Sequence, residues 1–95
     1  MTDAPPDDLV AYRATPLFTA GTVPGGLLRD HKTGTGIWGR IEVRAGILCL
    51  ARAAGGEETL QAGGATWVAP DELHAVTLSE DAIFRVVFHR RVGTG

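Results

Sequence analysis

Residues 34–44 read GTGIWGRIEVR, and two incompatible readings meet in them. Gly34, Gly36 and Gly39 spell G-x-G-x-x-G, the spacing that cradles a dinucleotide pyrophosphate, and Glu57 and Glu58 follow at about the distance expected of a ribose-binding carboxylate. From Ile37 onward, however, the chain alternates. Ile37, Gly39, Ile41 and Val43 fall on one face, while Trp38, Arg40, Glu42 and Arg44 fall on the other, which is the period of a strand. A dinucleotide fingerprint needs its last glycine to open a helix whose N-terminus meets the pyrophosphate. Gly39 lies inside the alternating run instead, so the spacing is accidental and no nucleotide cofactor is expected. Gly34 and Gly36 then shape a loop, and Gly39 permits a close approach by a neighbouring strand.

Outward from this strand the pattern repeats. Gly46 supplies a turn and residues 47–52 (ILCLAR) run on as a second strand, so the pair reads as a hairpin. Gly55 and Gly56 return the chain into 58–62 (ETLQA), and Gly63 and Gly64 turn it into 65–69 (ATWVA). After a turn at Pro70, Asp71 and Glu72, residues 74–80 place His74, Val76 and Leu78 on one face. The last strand, 82–90, puts Phe84, Val86 and Phe88 toward the core and Arg85, Val87 and His89 opposite. Upstream, Val10, Ala14, Leu17 and Phe18 fit a helical period, but Pro16 interrupts it and favours extended chain before it, so 10–18 reads as strand as well. About eight short strands separated by Gly and Pro turns predict an all-β antiparallel sandwich or small barrel, with no β-α-β unit.

Composition narrows the classes. A chain of 95 residues is one domain, 1–95, since so short a chain cannot divide its core in two, and the acidic, proline-rich residues 1–8 read as a flexible N-terminal tail. A hydrophobic content of 44% with 21% charged residues describes a folded globule. The net charge of -2 and the scattered Lys and Arg give no basic stripe, so nucleic acid is not an expected partner. Neither a secretion signal nor an apolar run long enough to cross a membrane is present. The single Cys49 cannot form an internal disulfide, which suits a cytoplasmic location.

The residues able to carry chemistry are few. Of the three histidines, His31, His74 and His89, the parity of His74 points it inward. It is either a buried neutral imidazole satisfied by hydrogen bonds, or a metal ligand at the mouth of the fold together with His31. Zinc takes three or four N, S or O ligands and non-haem iron often two histidines and a carboxylate, so a third ligand is needed. Glu72, two residues before His74, is the candidate carried forward, with Glu42 and Asp30 as alternatives that spacing does not separate. Trp38 and Trp67 are either core filler or an apolar wall for a ligand. Arg40 and Arg85 are either solvated or, if turned inward, anion contacts, and these four residues form the candidate ligand pocket. Cys49, among Leu48 and Leu50, reads as a small buried hydrophobe.

The run GGLLRDHKTGTGIWGRIEV, the later VAPDELHAV and the closing FRVVFHR resemble the small cupin-like domain found at the N-terminus of some TehB tellurite-resistance proteins and standing alone in YeaR-like proteins. The likeness runs from about Tyr12 to about Phe88, and its most specific pieces are R-D-H, W-G and P-x-x-x-H in that order. It implies a double-stranded β-helix, the cupin jelly roll, with His31 and His74 at the positions of the family's histidines and a divalent metal there, zinc or iron. In TehB proteins methyltransferase activity belongs to a separate domain, so it is not carried over. Cupins usually place two histidines one residue apart before a glutamate, whereas Thr33 and Thr35 follow His31, so the full three-histidine, one-glutamate set is absent.

Three functions follow as expectations. The leading one is a protein that binds a metal, a small oxyanion or a metabolite within the barrel, in a stress or toxic-oxyanion response. The others are a metal-dependent enzyme activating water or dioxygen, and a structural or oligomerisation module without a metal. Exposed sheet edges make a homodimer an expectation common to all three.

Overall fold

The structure, a computed structural model, describes residues 5–27 and 33–92. Eight strands are present: β1 (Leu9–Ala14), β2 (Phe18–Thr19), β3 (Trp38–Ala45), β4 (Leu48–Arg52), β5 (Glu57–Leu60), β6 (Ala65–Val68), β7 (His74–Leu78) and β8 (Ile83–Arg91). A single 3-10 turn at Gly25–Leu27 is the only helical element among the described residues. The expected strand at 10–18 is divided in two, because the chain from Thr15 to Leu17 around Pro16 leaves the ladder between β1 and β2.

The strands form two antiparallel sheets. The larger has the order β1-β8-β3-β6, with β2 also against β8, and the smaller the order β5-β4-β7. Each inner face follows from the alternation in the sequence. Ile41, Val43, Val68 and Phe84 of the large sheet meet Leu48, Leu50, Leu60 and Val76 of the small one in a single core. Phe84, Leu48, Leu50 and Val68 are less than 2% exposed, and each such side chain contributes about 1.5–3 kcal/mol by leaving water.

Two expectations are corrected here. The first is the hairpin between the 37–44 and 47–52 strands. β3 and β4 lie in different sheets, β3 pairing with β8 and β6, and β4 with β5 and β7. The Gly46 turn is a corner between sheets. Gly46 has φ 69° and the backbone of Ala82 is pressed so close that a Cβ there would stand 2.6 Å from it. Around this corner Ile47 N–H bonds Ser79 Oγ and Ser79 N–H bonds the Ile47 carbonyl, which locks it to the turn between β7 and β8. The second is the barrel. No ladder joins the two sheets, so the all-β antiparallel class holds while closure does not. The free edge of β6 faces an arginine side chain where a closed barrel would present a strand.

The chain is tied down at Asp8, whose carbonyl accepts from Val92 N–H and whose carboxylate pairs with Arg91 at 3.1 Å.

Gly46→Ala is expected to destabilise the protein by more than about 2 kcal/mol, since it adds a backbone clash to a left-handed conformation. Gly56→Ala, at φ 96° but in open space, should cost about 1–2 kcal/mol from the conformation alone. Urea unfolding of the two variants checks the order.

Candidate functional site

Between the sheets lies a cavity of about 110 Å³. Its walls are apolar, built from Ile41, Val68, Val76, Phe84, Val86 and Phe88, and Thr15, Thr33, Gly39 and His74 complete the lining. Gly39 is part of the reason the space exists. A Cβ at that position would come within 3.4 Å of both Thr33 Cγ2 and Val86 Cγ1, so a side chain there would project into the volume. The third glycine of the accidental motif therefore has a use, as a missing wall.

The polar groups around the cavity are committed. Thr33 Oγ1 donates to the Ile37 carbonyl at 2.7 Å, and Thr15 Oγ1 donates to the Pro16 carbonyl while accepting from Val86 N–H. His74, 6% exposed, has Nδ1 at 3.0 Å from the Glu72 carbonyl. A carbonyl only accepts, so Nδ1 carries the proton and in the neutral ring the lone pair sits on Nε2. The inward parity expected of His74 holds.

His74 is positioned by the turn before it. Glu72 N–H bonds the Ala69 carbonyl, Pro70 presets the second turn position, and Asp71 takes φ 61° at the third, a conformation aspartate tolerates. The turn brings the Glu72 carboxylate back onto Ala69 N–H at 3.0 Å and onto Arg52 Nη1 at 2.9 Å.

Arg52 is the residue that sequence reasoning missed. It stands opposite His74 across β4 and β7, its side chain only 7% exposed. Nη1 donates to Glu72, and Nη2 donates to Glu58 at 2.6 Å, to Thr66 Oγ1 and to the Trp67 carbonyl. One guanidinium thus joins β4, β5, β6 and the β6–β7 turn. The only signal in the sequence was parity, which places Arg52 on the same face as Leu48 and Leu50; a charged residue in that register is either misread or paired. The hydrogen bond from Arg52 holds the Glu58 carboxyl below its ordinary value of 4.5, outweighing the opposite effect of burial, with help from Thr66.

The four residues expected to form the ligand pocket do not line the cavity. Trp38, Arg40, Trp67 and Arg85 are together, but on the outer face of the large sheet. Trp67 contacts Trp38 edge-on at 6.4 Å and His89 at 4.7 Å, and Arg40 lies 6.0 Å over the Trp67 ring. Glu42 takes hydrogen bonds from both Arg40 and Arg85. Burial raises its pKa, yet the two guanidinium groups together hold it below the ordinary value. His89 is half-buried against Trp67, and Cys49 is partly exposed beside Thr59.

For a metal, His31 falls outside the described residues, and the Glu72 carboxylate is engaged by Arg52 and Ala69. No group of three His, Cys, Asp or Glu side chains converges among the described residues. Those residues alone do not make a metal centre. No helix among them is long and apolar enough to cross a membrane.

Two facing antiparallel sheets, an apolar space between them and one tethered imidazole on its wall define a class of small β domains. Within that class the chain belongs to the TehB-like domain family, whose model matches residues 13–86. No curated protein matches it. A protein of E. coli (strain K12), solved as a structural-genomics target, superposes with a TM-score of 0.86 at 20% identity over 95% of this chain and 98% of that one. TehB from Haemophilus influenzae superposes with a TM-score of 0.80 at 24% identity over 90% of this chain, which spans 32% of the Haemophilus protein. At these identities the likeness is one of fold.

Two outcomes follow. Arg52→Met, which strands Glu72 and the Trp67 carbonyl, should cost about 3–5 kcal/mol in denaturant unfolding. Because the folded pKa of Glu58 is depressed, its contribution is fully present above the ordinary value of 4.5 and is lost as pH falls through the folded value. The melting-temperature gap between the parent and Glu58→Gln should therefore be constant above about pH 5.5 and close below 4.5. A gap that persists unchanged to pH 3 would overturn this account of Glu58.

Proposed function

We propose that the chain is a cupin-like small-ligand-binding domain whose inter-sheet cavity takes a small, mainly apolar metabolite with one polar group held against His74. The observation that carries this reading is the cavity itself, about 110 Å³ with six large apolar side chains on its walls and a single imidazole. That volume is well below the ~300–1,000 Å³ of a pocket for a drug-sized ligand, which limits the occupant to a few heavy atoms. An isolated oxyanion is a poorer fit to such walls, because burying a charge requires donors in return, and the two threonine hydroxyls already donate to backbone carbonyls. The facing inner strands are consistent with a double-stranded β-helix whose edges stay open. The TehB-like family relation supports a part in a stress or toxic-oxyanion response, which the domain would serve as a cytoplasmic binding component.

A second reading, a bound zinc or iron, is favoured by one feature. A histidine that gives Nδ1–H to a backbone carbonyl has the tautomer and fixed orientation of a metal-ligating imidazole. His31 is the other candidate ligand.

Thermal shift with a panel of butanol, propionate, isobutyrate and tellurite separates the readings. A bound probe at ten times its Kd adds about 1.4 kcal/mol, a rise of several degrees for a domain this size. The rise should appear for apolar probes and vanish in Gly39→Val, which fills the space, and in His74→Ala. No shift with any probe, or a shift that survives Gly39→Val, would remove the cavity from the function. For the metal, elemental analysis of protein purified without chelator should find near-stoichiometric zinc or iron, lost in the His31→Ala, His74→Ala double variant. Metal absent from the parent would end the second reading.

A further inference from the structure

Exposure rises along the inner face of β8. Phe84, Val86 and Phe88 all line the cavity, yet Phe84 is 2% exposed, Val86 and Phe88 are half-buried, and Arg90, the next residue on that face, is exposed. The neighbouring strand opens in the same way, since every residue of β1 after Leu9 is exposed. The cavity therefore reaches solvent at its Phe88 end.

Two cations stand at that end. Ala11 pairs with His89 on the outer face, but the register shifts between Ala11 and Arg13, and Arg13 pairs with Phe88. The extra residue of this bulge, Tyr12, thus carries Arg13 onto the inner face, because directly opposed residues share a face. Arg13 is then beside two residues of the cavity lining, Phe88 across the ladder and Thr15 along the strand. Arg90 follows Phe88 on the same face, and its guanidinium lies 4.9 Å over the Tyr12 ring, a cation–π contact that steadies it there. Arg40, Arg52, Arg85 and Arg91 have carboxylate partners, whereas Arg13 and Arg90 have none among the described residues. Asp8, just before β1, is taken by Arg91. Neighbouring cations without an acid between them repel each other, a cost that an anion bound there removes.

We propose that the ligand of the cavity is a short-chain carboxylate, its hydrocarbon end inside and its carboxylate outside, at the Phe88 end, on Arg13 and Arg90. This rests on the ligand-binding reading and adds an anionic end to that ligand. The division follows from what each part of the site offers. The walls are apolar and their two threonine hydroxyls already donate to backbone carbonyls, so a charge inside would lack donors. At the rim a guanidinium presents paired N–H groups that match a carboxylate, and the charge keeps part of its hydration. Arg13 and Arg90 are then specificity residues, which separate an acid from a neutral analogue of the same shape.

The test is calorimetric titration of the full chain at pH 7 with isobutyrate, ionised there, and with isobutyramide, its neutral isostere. Isobutyrate should bind about tenfold more tightly, as a charge-assisted hydrogen bond at a partly hydrated site gives, and the preference should shrink at high salt. Arg13→Gln and Arg90→Gln should each reduce the preference, and the double variant should abolish it with the isobutyramide affinity unchanged. Both positions are exposed, and unchanged circular dichroism will confirm that each variant is folded. Gly39→Val should remove binding of both compounds. Equal affinities for acid and amide, or a preference that survives the double variant, would overturn the carboxylate proposal and leave the cavity reading standing. Isobutyrate binding that survives Gly39→Val would put the anion on the surface alone and overturn it as well. If neither compound binds the parent, the ligand-binding reading falls and this inference with it.

Discussion

The structure depends on one buried guanidinium. Arg52 issues from the central strand of the small sheet and ends on the Trp67 carbonyl and Thr66 hydroxyl at the free edge of the large one. A closed barrel would satisfy that edge with a ladder, whereas here a side chain does so at a single point. The guanidinium ties the two sheets at one point, while Leu48 and Phe84 are buried in the core between them. A buried cation is tolerable only when its donors are matched, and two carboxylates, a hydroxyl and a carbonyl match them. The same network places His74, because Glu72 braces the turn through its carboxylate and orients the imidazole through its carbonyl. Bracing the sheets and aiming the histidine are therefore one task.

This explains why the fold was more legible than the site. Alternation assigns faces residue by residue, and for Ile41, Val43, Phe84, Val86 and His74 the assigned faces are the observed ones. What alternation does not carry is which strands pair. Gly46 looks like a hairpin turn in sequence, and only the backbone of Ala82 against it, a residue distant in the chain, shows that it is a corner. The same limit hid the site. Arg40 and Arg85 attract notice as charges beside tryptophans, yet their partner Glu42 shares their face and all three are satisfied on the outside of the sheet. Arg52 shares its parity with Leu48 and Leu50, and its partners Glu58, Thr66 and Glu72 come from three other segments. No spacing rule links those four residues before the chain is folded.

The two faces of the large sheet also divide its chemistry. Outside, Trp38, Trp67 and His89 form a ring cluster edged by the Arg40, Glu42 and Arg85 ion pairs. These interactions run across β6, β3 and β8 and are cross-strand pairs of the kind that stabilise a sheet. Inside, the same three strands offer glycine, isoleucine, valine and phenylalanine to the cavity. Stiffening the outer face lets the inner face leave volume unfilled, because a cavity persists only where its walls do not collapse.

That reasoning bears on Gly39. In the middle of a strand a glycine weakens pairing and leaves nothing to pack, and a residue chosen for stability alone would be valine, which would close the space between Thr33 and Val86. The cost is accepted in a strand that is paired on both sides at this position, by β6 and β8, so the ladder supports what the side chain does not. On the opposite wall His74 is the polar group whose orientation is fixed by a turn braced through Glu72 and Arg52. An unfilled apolar volume and a tethered imidazole are each destabilising relative to a packed leucine. They occur on facing walls of the same cavity, each held by its own supporting structure, and the proposed ligand-binding reading rests on that pairing.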